Sequence, residues 1–137
     1  MTEFPVVVFH NPACGTSRNV VAMIRAAGYE PEIIEYLQTG WTMDQLENLL
    51  AAMGARPRDI LREKDTPAAE LGLLGEDADD AKILEAMIAQ PILVNRPIVV
   101  SYLGTKLCRP SEVVFELLDN RPENFTKEGG EVVRPPR

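Results

Sequence analysis

Between Pro5 and Leu37 the chain runs through a short β-branched stretch, a helical repeat and a second apolar stretch, and this alternation constrains the fold more than any other feature. "PVVVF" (Pro5 to Phe9) has the length and composition of a strand buried on both faces, as in a sheet covered by helices. Val20, Val21, Ile24 and Ala27 then recur at helical spacing, and Gly28 is placed to close that helix in a left-handed conformation. "PEIIEYL" (Pro31 to Leu37) reads as a second strand. Strand, helix and strand in so short a span favour a parallel pair joined by a right-handed crossover.

The rest of the chain extends this opening. Thr42, with Gln45 three residues on, has the pattern of a capping box, and Leu46, Leu49, Leu50 and Met53 form one apolar face before Gly54. Arg56 to Gln90 is helical in composition, with Ile83, Leu84, Met87 and Ile88 on one stripe, and "GEDADD" (Gly75 to Asp80) reads as an acidic turn. "RPIVVSYLGTKLCRP" (Arg96 to Pro110) contains two strand patterns meeting at Leu103 and Gly104, a β-hairpin. A last helix is expected, with Val113, Val114, Leu117 and Leu118 inward and Glu112 in its first turn. Beyond Asp119 the chain becomes polar, and the final "RPPR" reads as a flexible tail. At 137 residues the expectation is one domain, 1–137, of α/β class. Its order is β-α-β, then a helical insertion over about 42–90, then β-β-α, which is the thioredoxin-like order.

Charge and cysteine content narrow the function. A net charge of -7 disfavours a general nucleic-acid or anionic-membrane surface, and no apolar run is long enough to span a bilayer. The amino-terminal "MTEFP" lacks a basic stretch followed by an apolar core, so no secretory signal is expected and the cytoplasm is the expected compartment. Neither Cys14 nor Cys108 has partners at zinc-ligand spacing, so no metal site is expected.

Cys14 stands where the first strand turns into the first helix. A thiol at a helix start meets unpaired backbone N–H groups and the positive end of the helix dipole, both of which stabilise a thiolate. Gly15, Thr16 and Ser17 add backbone access and hydroxyl donors, so the same corner can hold an oxyanion. Ser17 occupies the place of the second cysteine of a Cys-x-x-Cys pair. An internal disulfide is therefore excluded at this corner, and an external thiol must supply the second sulfur. Cys108 follows a strand pattern and is expected to pack there.

"HNPACGTSRN" (His10 to Asn19) resembles the active-site loop of the glutaredoxin-coupled arsenate reductases. "ILREKD" (Ile60 to Asp65), "PILVNRPIVVSYLGTKLCRPSEVV" (Pro91 to Val114) and "FTKEGGEVV" (Phe125 to Val133) agree with the same family in order and spacing. The resemblance implies that Cys14 is the nucleophile and that Arg62, Arg96 and Arg109 hold arsenate and its products. It also implies a cis Arg96–Pro97 bond, with Pro97 facing the cysteine loop, and a His10 that helps keep the thiol ionised. It further implies that no cofactor is bound, and that glutathione is the co-substrate and glutaredoxin the partner.

Elementary chemistry agrees with the arginine assignment. Arsenate is a tetrahedral oxyanion, and planar guanidinium forks bind such oxygens bidentately while offsetting repulsion from an attacking thiolate. Arg96 and Arg109 each precede a proline, which favours an extended backbone, whereas Arg18, Arg25, Arg56 and Arg58 read as solvated surface charges. Two alternatives stay open: a related glutathione-dependent thiol oxidoreductase, and an RNA-polymerase-binding regulator of thiol stress. Regulators of that kind use a Cys-x-x-Cys switch, which Ser17 removes.

Overall fold

A computed structural model of the chain describes residues 4–136. The start of "MTEFP" and the last residue of "RPPR", Arg137, lie outside the described residues. The fold divides into two compact units: one runs to Glu35 and resumes at Arg96, and the other is Tyr36–Asn95.

The first unit is built on a four-stranded sheet of order β2-β1-β3-β4, with β1 Val7–His10, β2 Glu32–Glu35, β3 Ile98–Ser101 and β4 Gly104–Leu107. β1 and β2 are parallel, as the opening alternation requires, and are joined by helix α1, Gly15–Ala26. β3 lies antiparallel to β1 and β4 antiparallel to β3. Val8 and Val99 stand opposite each other and are fully buried in a core with Val20, Met23 and Ile24 of α1. Gly28 follows α1 at φ +102, with Tyr29 N–H bonding back to the Ile24 carbonyl, so the helix ends as its glycine suggested.

Register fixes the geometry that matters. Phe9 pairs with Ile98, and Ile98 pairs with Leu107. The chain leaving β1, the chain entering β3 and the chain leaving β4 therefore emerge at one end of the sheet.

The expected last helix is instead a 3-10 helix, Ser111–Leu117. Ser111, Val114 and Leu117 are all buried, a three-residue repeat that suits three residues per turn, and the adjacent valines are poor α-helix formers. The segment beyond Asp119, expected as a polar tail, forms a hairpin of β5 Phe125–Thr126 and β6 Val132–Val133. Val133 and Phe125 pack into the core, the Asn120 amide donates to the Ala27 carbonyl, and Arg121 donates to the carbonyls of Phe115 and Pro136.

In the second unit the expected second strand stops at Glu35, and Tyr36–Thr39 forms a helical turn, α2. Tyr36 is fully buried, donates its hydroxyl to the Val94 carbonyl and stacks on Trp41 at 5.1 Å, which fixes the turn. Helix α3, Met43–Met53, carries both bonds of the Thr42–Gln45 capping box and ends at Gly54 with φ +65. The stretch read as helical from Arg56 to Gln90 is helical only at its ends, as a 3-10 turn Pro57–Ile60 and helix α4, Asp80–Ala89.

Pro67, Gly72 and Gly75 interrupt the helical pattern between them. The backbone carbonyls that a helix would have paired find a side chain instead. The Arg58 guanidinium donates to the carbonyls of Leu73, Leu74, Gly75 and Ala78 at 2.9 to 3.5 Å, so this arginine, exposed as expected, also organises a loop. Replacing Arg58 by Ala is expected to lower the free energy of unfolding in urea by about 1–2 kcal/mol. Arg56→Ala, which loses only an exposed pair with Asp80, should stay within about 0.5 kcal/mol of wild type.

Candidate active site

Cys14 is the N-cap of α1, in extended conformation (φ -98, ψ 122), and is 8% exposed. The loop that presents it is tied from within. Asn11 accepts from Cys14 N–H through its carbonyl at 3.0 Å and from Ala13 N–H through Oδ1 at 2.9 Å. Ser17, fully buried one turn into the helix, accepts from Asn11 N–H at 3.1 Å, and its Oγ lies 2.7 Å from His10 Nδ1. A single hydroxyl thus satisfies the end of β1 and the loop together. A methyl added at Gly15 would make ordinary contacts with Arg18 and Glu128, so packing alone does not demand glycine there. Thr16 is half-buried beside it.

Arg96 and Arg109 reach this corner from the two chain segments that the sheet register brings to it. Arg109 Nη1 donates to the Arg96 carbonyl at 2.9 Å and lies 3.8 Å from Cys14 Sγ. Both arginines precede cis prolines, Arg96–Pro97 as the resemblance implied and Arg109–Pro110 without any forewarning. The Pro97 carbonyl accepts from Cys108 N–H at 2.9 Å, linking the ends of β3 and β4.

The thiol responds to these neighbours. Burial pushes Cys14 up, but hydrogen bonds from the Arg96 guanidinium, the Ser17 backbone N–H and Arg109, together with the charge of Arg96, bring it down to about 7. Near neutral pH a large fraction is thiolate. His10 is held below its ordinary value, first by burial and then by the charges of Arg18 and Arg25, against an opposing pull from Glu35. The neutral imidazole is therefore favoured at the corner, and its link towards Cys14 passes through Ser17. Cys108 is fully buried, and burial pushes it up to about 12, so it stays a packed thiol as its strand pattern suggested.

Arg62 belongs to the second unit. Its backbone N–H bonds to the Leu93 carbonyl at 2.7 Å, and its guanidinium donates to Lys64 carbonyl and Asn95 Oδ1. The arginines expected at the surface include Arg25, which forms an exposed pair with Glu30, and Arg18, which is exposed as expected but has specific partners. Arg18 donates to the Pro12 carbonyl in the Cys14 loop and pairs with Glu128, a residue that polar tail composition gave no reason to single out. Among the described residues no cluster of three or more His, Cys, Asp or Glu is placed to hold a metal ion, and no helix is long and apolar enough to cross a membrane.

A mixed sheet that begins β-α-β and closes β-β, with a thiol at the head of its first helix and a cis proline at the start of β3, defines a protein of thioredoxin-like fold. The arsenate reductase from Vibrio cholerae superposes on it with a TM-score of 0.80 at 34% identity, covering 85% of this chain and all of that one. A sequence model of the ArsC family matches residues 9–117, and the chain belongs to that family. It is 57% identical to arsenate reductase ArsI1 of Synechocystis over 97% of this chain and 93% of that protein. It is 52% identical to the arsenate reductase of Escherichia coli K12 over 93% of this chain and 92% of the other.

Alkylation by iodoacetamide follows the thiolate. The rate at Cys14 should be low in acid, rise through a midpoint near pH 7 and then level off. Arg96→Gln should move the midpoint upward, and Cys108 should remain unmodified in the native protein.

Proposed function

We propose that this protein is an arsenate reductase in which Cys14 is the catalytic nucleophile, Arg96, Arg109 and Arg62 bind the oxyanion, and glutathione and glutaredoxin supply the electrons. The observation that carries this reading is a lone thiol lowered to about 7 by guanidinium groups, with Ser17 where a resolving cysteine would have to be. Relatives named arsenate reductases, sharing about half their residues across nearly the whole chain, support the same substrate.

Arsenate docks against the guanidinium forks and the backbone N–H groups of Gly15, Thr16 and Ser17 at the start of α1. The Cys14 thiolate attacks arsenic(V), the sulfur–arsenic bond forms, and one arsenate oxygen leaves as water after taking up protons. Arg96 and Arg109 offset the charge that gathers as anion meets anion, and that builds on the departing oxygen. A glutathione thiolate then attacks the Cys14 sulfur. The sulfur–sulfur bond forms as the sulfur–arsenic bond breaks, and its electron pair stays on arsenic, which leaves as arsenite, arsenic(III). A glutaredoxin thiolate takes the glutathione from the mixed disulfide and restores the Cys14 thiolate.

In this scheme His10 tunes the loop through Ser17, and Pro97 shapes the wall opposite the thiol. The protein holds no resident cofactor. It needs neither membrane nor nucleic acid, and works in a reducing compartment such as the cytoplasm, where glutathione stays reduced.

The test is arsenate-dependent NADPH oxidation in the presence of glutathione, glutaredoxin and glutathione reductase. Wild type should turn over and Cys14→Ser should not, while Arg96→Ala and Arg109→Ala should each lose about 10²–10³ in kcat/KM. Phosphate should inhibit competitively, because it shares the shape and charge of arsenate. A wild type without activity, but with a Cys14 that alkylates at neutral pH, would redirect the assignment to another substrate of the same thiol.

A further inference from the structure

Three hydrogen bonds join the corner to a part of the chain more than a hundred residues away, and a fourth carries the link into the Cys14 loop. Arg18 Nε and Nη2 donate to the two carboxylate oxygens of Glu128 at 2.8 and 3.0 Å, and Arg18 Nη1 donates to the Pro12 carbonyl at 2.8 Å. Glu128 N–H in turn donates to Asn19 Oδ1 at 3.0 Å. A Cβ at Gly15 would lie 3.6 Å from Arg18 Nη2 and 3.9 Å from Glu128 Oε1, so the ion pair covers the first residue of α1, next to Cys14.

The hairpin that carries Glu128 is itself anchored. Phe125 and Val133 pack into the core, Lys127 pairs with Glu112 at 2.8 Å on the Ser111–Leu117 helix and with Glu131 at 3.3 Å, and Lys127 N–H closes the turn on the Glu131 carbonyl. A rigid support thus ends in a bidentate grip on a guanidinium whose remaining amino group holds the thiol loop.

We propose that the carboxy-terminal hairpin positions the Cys14 corner through Glu128 and Arg18, which act as one positioning unit for the nucleophile. This rests on Cys14 being the reactive thiol. Arg18 is close enough to feel the charge of Cys14, yet its own charge is matched by Glu128. Its contribution is therefore to hold the Pro12 carbonyl and the loop, while Arg96 and Arg109 donate hydrogen bonds to the sulfur. The Ser17 N–H at the start of α1 keeps its aim at the sulfur because the loop before it is held through Pro12.

Charge and geometry make opposite demands on one measurement. Removing the Glu128 carboxylate takes an anion away from a thiolate and leaves Arg18 unmatched, which by charge alone favours the thiolate and lowers the pH at which Cys14 reacts. Releasing the loop draws the Ser17 N–H and the arginine donors off the sulfur, which raises it. The experiment is the pH dependence of iodoacetamide alkylation of Cys14 in wild type, Glu128→Ala and Glu128→Gln, with thermal unfolding of each. Iodoacetamide reads the thiol without arsenate, so the result stands apart from the identity of the substrate.

The expected result is an upward midpoint in Glu128→Ala, with alkylation at pH 7 slowed about threefold. Glu128→Gln, whose amide oxygen still accepts from Arg18, should stay within about twofold of wild type. A midpoint that falls or does not move in Glu128→Ala overturns the proposal. So does an equal slowing in both variants with an equal loss of melting temperature, since the hairpin would then only hold the fold together.

Discussion

A thiolate buried to 8% exposure is the constraint around which the first unit is arranged. Burial alone favours the neutral thiol, so the charge persists only where donors converge on the sulfur. Three segments distant in sequence supply them: the start of α1 through Ser17 N–H, the chain before β3 through Arg96, and the chain after β4 through Arg109. The register Phe9, Ile98, Leu107 is what brings those segments together. A slip of one residue at either antiparallel pairing would turn the inward valines outward and shift an arginine away from the corner in the same step. Packing and chemistry are therefore specified by the same pairing.

Ser17 shows how closely support and reactivity are joined. As a hydroxyl it meets two needs that a thiol would meet poorly, accepting from Asn11 N–H and bonding the His10 ring. Its backbone N–H faces the sulfur of Cys14. A second sulfur here would allow an internal disulfide, and the same corner would then cycle between dithiol and disulfide forms. With serine, no internal disulfide can form at this corner, and under the proposed function the second sulfur arrives from another molecule.

Local signals made much of this legible in the sequence. Cys14 at a strand-to-helix turn, the Thr42–Gln45 capping box and the glycines closing α1 and α3 all depend on residues within one helical turn of one another. Features set by distant partners were not legible. Arg58 organises a loop because Pro67 and the glycines break the helix that its neighbours suggest, and nothing near Arg58 marks the carbonyls that it finds. Ser111–Leu117 has an apolar pattern compatible with either helix type, and its three-residue burial repeat exists only against the core. Arg18 reads as a surface charge and is one, but its pairing could not be read because Glu128 is 110 positions away. The arginines of the site stood out by their prolines and by family resemblance, since an isolated arginine carries no sign of what it will face.

The overall charge of -7 sharpens what the corner must do. An anion approaching this protein meets net repulsion at long range, screened within about 8 Å at physiological salt, so under the proposed function its capture depends on the short-range guanidinium groups. Those groups distinguish an oxyanion from a neutral molecule, but not arsenate from phosphate, whose shapes and charges match. Under the proposed function the distinction falls to the step after binding. A thiolate displaces oxygen from arsenic, and arsenic then accepts the electron pair released by the second thiol, whereas phosphorus(V) gains no comparable stability from reduction. Phosphate then occupies the site without consuming thiol, and selectivity lies in the chemistry of Cys14 and the incoming thiol, with the arginines setting only how often an anion is there to be tested.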